Sequence, residues 1–586
     1  MSHILSRRSL LSAGLVASAV SALPLPSIIR PANAVEALPV PAPQGYDRLF
    51  PGLAPAKFAP EDLVRLAQGD GNHLNGMSAD PETLKNEDKS AKRDTNGHLI
   101  ISATPEDEQD DEENFGLASG YTYLGQFIDH DLTLNPTSEF TPMTDGSVLT
   151  NLRTPAFDLD SLYGRGPADQ PYLYEADGKR LMQGRALTRS GEVSTSRDLP
   201  RVNGRAAIGD KRNDENVIIS QLHSAFTAFH NKVVADMPNA SFEEVRRVVT
   251  HHYQWVVLTD FLPRIVGPKL MDTLLPGFGA GGKAGSTQTR LTLASKLGSH
   301  AIPLEFTDAA YRFGHSMIRP AYRLNARMKG SAAEMRDNPA LAGRRLIFAA
   351  SPYAGLNGFR AFPAEWAIDW RLYFEIDRKL ELSGLKDGVR RVQAAYKFDT
   401  SLVNPLAFLP EFSQGPHGGP FTRDADGQSR PKAGAISSLA LRNLMRGAQR
   451  GLPSGQDVAR AMGIDPVSSR DLKVGKATVE GLAVNRSITA YGESFQNAAP
   501  LWFYVLAEAQ ALWAEDAGQS TGSKAKRDAI PSRLGPVGGR IVAESFIAMM
   551  ARDKNSVLHA GADWAPRFTR DGRFAMPELL GQAGLV

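Results

Sequence analysis

Between Ser241 and Pro263 apolar residues recur at Val245, Val248, Val249, Tyr253, Val256 and Val257, the three-and-four spacing of a helix with one buried face. The start of this helix is marked too. Ser241-Phe242-Glu243-Glu244 reads as a capping box, in which the serine hydroxyl accepts the third amide and Glu244 reaches back to the cap. The pattern predicts further helices over about 117–132, 215–236, 308–318, 364–383, 435–449, 455–462 and 539–551. Strand-like alternation is scarce. The glycine-rich stretches 277–285 and 415–427 lie between predicted helices with no strand before them, so they read as loops and not as phosphate cradles. From residue 35 to about 60 the chain carries Pro39, Pro41, Pro43, Pro51, Pro55 and Pro60 and has no helical period, which predicts an extended arm lying on the body. The acidic run 106–113 reads as a solvated loop, since it lacks the turn residues of an EF-hand. The expected fold class is mainly α.

At 586 residues the chain exceeds one ordinary core, which fits a large domain over 115–586 preceded by an arm and acidic loop over 35–114. The formal net charge is +2, and Arg7, Arg8 and Arg30 contribute three of the positive charges, leaving 2 − 3 = −1 from residue 35 onward. Nothing in that balance points to nucleic acid. Arg7 and Arg8 precede an apolar run from Leu11 to Leu25, and Ala32-Asn33-Ala34 offers a small-residue cleavage site, so residues 1–34 read as a twin-arginine export signal cleaved near Ala34. The apolar run is too short for a secure membrane span, and no later segment reaches spanning length. With no cysteine, the chain can form no disulfide, thiolate haem ligand, cysteine zinc site or iron–sulfur centre.

Five stretches carry dense chemistry. Gly125-Gln126-Phe127-Ile128-Asp129-His130-Asp131 places Gln126 and His130 at i and i+4, on one helix face. Leu152-Arg153-Thr154-Pro155-Ala156-Phe157-Asp158-Leu159-Asp160 alternates oxygen donors at Thr154, Asp158 and Asp160 with the Ala156 carbonyl between them, and Asp131 would complete six or seven oxygens around a hard cation. Ile208-Gly209-Asp210-Lys211-Arg212-Asn213-Asp214-Glu215-Asn216 leads into a helix bearing His223 and His230, whose i, i+7 spacing suggests a shared buried face and a packing role. His315 follows Gly314, whose missing side chain leaves room for a flat group. Asn443 and Arg446 share a face of the helix over 435–449.

Taken in this order, the stretches resemble the animal-type haem peroxidases of the peroxidase–cyclooxygenase superfamily, over roughly 115–550. The resemblance implies a multi-helical fold with haem b buried between central helices. His315 would ligate the iron, Asn443 would accept the other ring proton of His315, and Arg446 would meet a haem propionate. His130 would move the proton of hydrogen peroxide, Gln126 would hold a water or substrate atom beside it, and Arg212 would stabilise developing negative charge. Asp129 and Glu215 match positions that form ester bonds to haem in mammalian members. Asn216 replaces the methionine of a further linkage, which is therefore not expected. Asp131, Thr154, Ala156, Asp158 and Asp160 would bind calcium. The implied activity is oxidation of halide, pseudohalide or small organic donors by hydrogen peroxide, through a ferryl state of the haem.

Other readings remain open. A fatty-acid dioxygenase of the same superfamily needs a tyrosine three residues before the proximal histidine, where this chain has Arg312, with Tyr311 displaced by one. A secreted calcium-binding adhesion protein of the same fold would be expected to lack the pair His130 and Arg212, yet both are present. A calcium-dependent hydrolase would leave His315 unexplained and lacks a nucleophile elbow. Oligomeric state, the physiological donor and a partner that supplies peroxide have no signature in these residues.

Overall fold

The computed structural model describes residues 45–70, 74–78, 109–134, 151–189, 192–298, 301–326, 343–349, 355–377, 391–407 and 438–586, with short pieces between them. The leader and the first part of the acidic run fall outside these residues, as does most of the 415–427 loop, beside which Phe421–Arg423 and Ser429–Pro431 pair antiparallel. The architecture is mainly α. Its principal helices are α1 (Pro60–Gln68), α2 (Gly120–Leu132), α3 (Val217–Asp236), α4 (Phe242–Val256), α5 (Leu439–Gln449), α6 (Gly455–Ala461), α7 (Leu501–Gln519) and α8 (Pro536–Arg552). The described strands form only two-stranded pairs.

The capping box at Ser241 and Glu244 is present, and α4 begins directly after it. The helical run continues one turn past Pro263. Proline lacks the N–H that an α-turn would require, and the chain responds with a π-turn over Val257–Phe261 before continuing through Leu262–Val266. The stop comes at Gly267, with φ 87°. The central core forms where Phe127 of α2 stacks on Phe226 of α3 at 4.6 Å and meets Tyr253 of α4 edge-on at 6.2 Å. Each ring is fully buried, a contribution of roughly 1.5–3 kcal/mol relative to exposure.

Three expectations change. Among the described residues of 364–383 no α-helix forms, and a 3₁₀ turn, Trp370–Leu372, stands in its place. Distant partners take the backbone amides instead, since Ala367 N donates to Thr188 O, Ile368 N to Gln221 Oε1 and Asp369 N to Leu324 O. The segment ending at His315 is likewise a 3₁₀ helix, Ala310–His315, in place of an α-helix over 308–318. The described end of the acidic run is not a solvated loop: Glu112 and Glu113 are buried, and Glu113 pairs with Arg319 at 2.8 Å and Arg391 at 2.7 Å.

Among the principal helices, α1 and α7 lay outside the expected set. α1 starts with Pro60 in its first turn, has Glu61 and Asp62 there, and buries Leu63, Leu66 and Ala67 in the main core. α7 is buried on nearly every side, from Leu501 to Gln510 without interruption. The described part of the arm, from residue 45, is held to the chain that follows: Tyr46–Asp47 pairs in parallel with Ile302–Pro303, and Arg48 donates to the Arg450 and Gly451 carbonyls. Among the described residues no helix is long and apolar enough to cross a membrane.

Candidate active site

α2 carries His130 on its last turn, 4% exposed. Asn213 lies in the 3₁₀ turn Lys211–Asp214, fully buried, with its amide between two imidazoles. Its Nδ2 faces His223 Nδ1 at 3.1 Å and its Oδ1 faces His130 Nδ1 at 2.8 Å. In that arrangement Asn213 donates to His223, so His130 must donate from Nδ1, which leaves Nε2 as its basic nitrogen. Burial, and then the Arg212 charge, lower the pKa of His130 to about 4, so the ring is neutral at neutral pH. Asn213 was not singled out in the sequence, and His223 does more than pack. His230 is a satisfied core residue, with Nδ1 meeting Tyr163 Oη at 3.0 Å and Nε2 donating to Lys179 O at 2.8 Å.

Arg212 and Gln126 are oriented differently from the expectation. Arg212 donates to the His130 carbonyl at 3.0 Å and to the Thr133 carbonyl, and pairs with Asp210 at 2.8 Å. The last carbonyls of a helix lack internal partners and carry its negative dipole end, which draws this cation. Arg212 therefore anchors the end of α2 and helps keep the His130 ring uncharged. Gln126 donates from Nε2 to Glu215 Oε1, while Asn216 Nδ2 donates to Gln126 Oε1 at 3.3 Å. Asn216 also caps α3, accepting the Ile218 and Ile219 amides. Asp129, on the same turn as His130, accepts Thr133 Oγ1 at 3.2 Å.

Asp131 faces the loop over 154–160, where it accepts the Leu159 amide. The carboxylates of Asp131, Asp158 and Asp160 offer oxygens all within 4.8 Å of one another. Leu159 between them adopts a left-handed backbone, φ 60°, and its amide donates to Asp131 Oδ2 at 3.2 Å. Thr154 Oγ1 donates to Asp158 Oδ2 at 2.9 Å, and Ala156 lies on the same loop. Burial, then the neighbouring carboxylates, push Asp131 well above the usual range; burial and Asp158 raise Asp160 to about 8. Asp160 Oδ1 is buried with no hydrogen bond and faces Arg153 Nη1 at 3.4 Å. Such mutual destabilisation is relieved by a divalent cation, and hard oxygen donors suit calcium. Arg153 also pairs with Asp210 at 2.7 Å, which ties this loop to the Arg212 anchor. Burial alone would raise Asp210, yet Arg212 and Arg153 together hold it below the usual carboxylate range.

The turn bearing His315 is hydrogen-bonded to α2, since Tyr311 Oη donates to the Gly125 carbonyl at 3.0 Å. Tyr311 is otherwise enclosed by rings, stacked on Phe306 at 4.8 Å. A Cβ built on Gly314 would meet no atom within 4 Å, so there is open space beside His315. His315 Nδ1 and Asn443 Nδ2 are 2.8 Å apart, a pairing expected from the sequence. Its direction is reversed. Arg312 Nη1 takes Asn443 Oδ1 at 3.2 Å, and because guanidinium only donates, the amide turns its Nδ2 to His315. Arg446 lies 3.4 Å from Asp308, which Arg450 at 3.8 Å and Arg312 at 4.0 Å also approach.

A family model for animal haem peroxidase matches residues 142–357, a span that includes Thr154 to Asp160, Arg212 to Glu215 and His315 but neither Gln126 to Asp131 nor Asn443. A peroxidase-like protein of Margaritifera margaritifera is 26% identical over 262 residues, covering 34% of this chain and 31% of the relative. Human thyroid peroxidase is 30% identical over 158 residues, covering 26% of this chain and 15% of the relative. The chain thus spans under a third of the length of these relatives. Peroxidase A from Dictyostelium discoideum superposes with a TM-score of 0.47 at 15% identity, covering 92% of this chain and 95% of its own. An Arabidopsis thaliana fatty acid alpha-dioxygenase gives 0.45 at 15% identity, covering 91% and 75%.

Proposed function

The chain belongs to the peroxidase–cyclooxygenase superfamily, and on that premise we propose that it is a haem peroxidase that uses hydrogen peroxide to oxidise halide, pseudohalide or small organic donors. The observation that carries this reading is the buried, neutral His130, held by Asn213 with Nε2 as its basic nitrogen, on the helix to which the His315 turn is bonded. The residues suit haem b. Open space at Gly314 accommodates a flat group beside His315, whose Nε2 would ligate iron with the ring proton on Nδ1, an arrangement that requires the Asn443 amide to turn its oxygen to the ring. The guanidinium groups gathered at Asp308 favour an acidic substituent such as a propionate, with Arg446 the nearest of them to Asp308.

When bound, haem would supply redox-active iron able to take up the oxidising equivalents of peroxide. The protein supplies proton management. His130 Nε2 accepts the proton of the inner peroxide oxygen and returns it to the outer one, so that water leaves. Asn213 holds the ring in the required tautomer, and Arg212 fixes the end of α2 on which the ring sits. The phenol of Tyr311 is engaged with backbone and Arg312 stands at the position a radical tyrosine would need, which favours a peroxidase over a lipid oxygenase. The decisive experiment is an absorption spectrum of the haem-loaded protein before and after peroxide, with a dye-oxidation assay. Spectral conversion with dye turnover is expected; dye oxidation at background in fully loaded protein would overturn the assignment.

Calcium at Asp131, Asp158 and Asp160 belongs to the same proposal. Its withdrawal should lower the melting temperature by about two degrees or more, because roughly 2 kcal/mol or more of binding energy is then lost from the folded state. Calcium, but not magnesium, should restore it. The Asp158→Asn/Asp160→Asn double variant should melt at one temperature whether chelator is present or not; a chelator-sensitive variant would refute the site. Asp129 and Glu215 are the candidate ester positions. After peroxide turnover, denaturing mass spectrometry should find haem retained on the chain, and haem that separates freely would exclude the links. Export through the leader, with cleavage near Ala34, completes the proposal.

A further inference from the structure

Away from these histidines, the middle turns of α4 and the segment after α8 line a cleft of about 490 Å³. Its wall is fixed by imidazoles. His251 Nε2 donates to Asn555 O at 2.9 Å, and His252 donates from Nδ1 to Val248 O at 2.7 Å while accepting the Arg567 amide at 2.8 Å. Trp564 packs edge-on to both rings, at 5.7 Å and 5.8 Å. Arg247, Lys554 and Arg567 line the same cleft, and among the described residues no carboxylate does. Neither Arg247 nor Lys554 lies within ion-pair distance of a carboxylate among the described residues, although Glu244, outside the lining and three residues before Arg247, feels the Arg247 charge. Asp553, next in sequence to Lys554, accepts the Asn555 amide at 2.9 Å.

Three cations around one hollow, in a chain whose charge is otherwise nearly balanced, repel one another and create a local positive potential that a bound anion relieves. The guanidinium forks match a carboxylate or phosphate, and the indole offers an aromatic surface to a ring. The volume falls within the range of small-molecule sites. We propose that this cleft binds a small aromatic anion, a ring bearing a carboxylate or phosphate group. The site is independent of haem and of the peroxidase reading.

The test is calorimetric titration of the full, haem-loaded chain at low salt with benzoate, phenyl phosphate, inorganic phosphate and benzyl alcohol. Saturable one-site binding is expected for benzoate or phenyl phosphate, at least about tenfold tighter than for benzyl alcohol or inorganic phosphate, and weakened by added salt. Whichever aromatic anion binds tighter identifies the acidic group. The exposed double variant Arg247→Gln/Lys554→Gln should lose roughly tenfold or more of that affinity, with the Soret band unchanged throughout. Trp564→Leu should weaken the aromatic anions to the level of inorganic phosphate. Absence of saturable binding, equal binding of benzyl alcohol or inorganic phosphate, or an affinity that both variants leave intact would overturn the proposal.

Discussion

Replacing His315 by glycine should remove the Soret absorbance of the purified, haem-supplemented protein, with affinity for haem weakened by about 100-fold or more. The expectation rests on the ring's surroundings. Its Nδ1 lies 2.8 Å from Asn443, and Nε2 can meet a metal once the amide turns so that the ring proton sits on Nδ1, with open space at Gly314 beside it. His315 lies in a short 3₁₀ turn anchored by Tyr311 to Gly125 and by the Trp502 indole to the Arg312 carbonyl, so the glycine variant should still fold. Added imidazole should then enter the vacated volume and restore the band, a rescue that a merely packing histidine would not permit. A glycine variant that binds haem as the parent does would exclude His315 as the ligand. Asn443→Ala should act more mildly, shifting the band and the iron potential while haem remains bound, because it removes the orienting partner and not the ligand. Arg312 already claims Asn443 Oδ1, so the amide must turn before His315 can donate to it, and Arg312→Ala should ease that turn.

The clearest part of this fold in the sequence is a helix with a single apolar stripe, α4, announced by residues three and four apart and by the local hydrogen-bond signal of the Ser241 capping box. α3 and α8 were anticipated although they are buried nearly all round, whereas α7, equally enclosed, was missed because a helix without a polar face has little to mark its period. The failed helix over 364–383 carries helix-like spacing, but Gln221, Thr188 and Leu324 claim its amides from far along the chain. The site divides in the same way. Asp131, Asp158 and Asp160 were groupable because oxygen donors alternate along one loop, and His130 was visible as a polar group within an apolar helix. The role of Asn213 was not, since it depends on hydrogen bonds to His130, 83 residues away, and to His223. The orientation of Arg212 was hidden likewise, because helix-end carbonyls leave no trace in residue type.

Substituting His130 by alanine should leave haem bound yet slow the reaction with peroxide by about 10²–10⁴-fold, the range that a well-placed acid–base group contributes. The side chain is buried, neutral and directed by a hydrogen bond, so its removal takes away the proton acceptor without removing a metal ligand or an ion pair. Asn213→Ala should reproduce part of that loss, roughly tenfold, because the imidazole then samples both tautomers and only one leaves Nε2 basic. Asn213→Asp separates positioning from bulk: a carboxylate still accepts the Nδ1 proton of His130 and should retain most of the rate. The melting temperature of all three variants should be recorded beside the stopped-flow rates. If His130→Ala reacts with peroxide as fast as the parent, the proton must travel by another group, and the buried triad His130, Asn213 and His223 is then only a satisfied polar cluster beneath the end of α2.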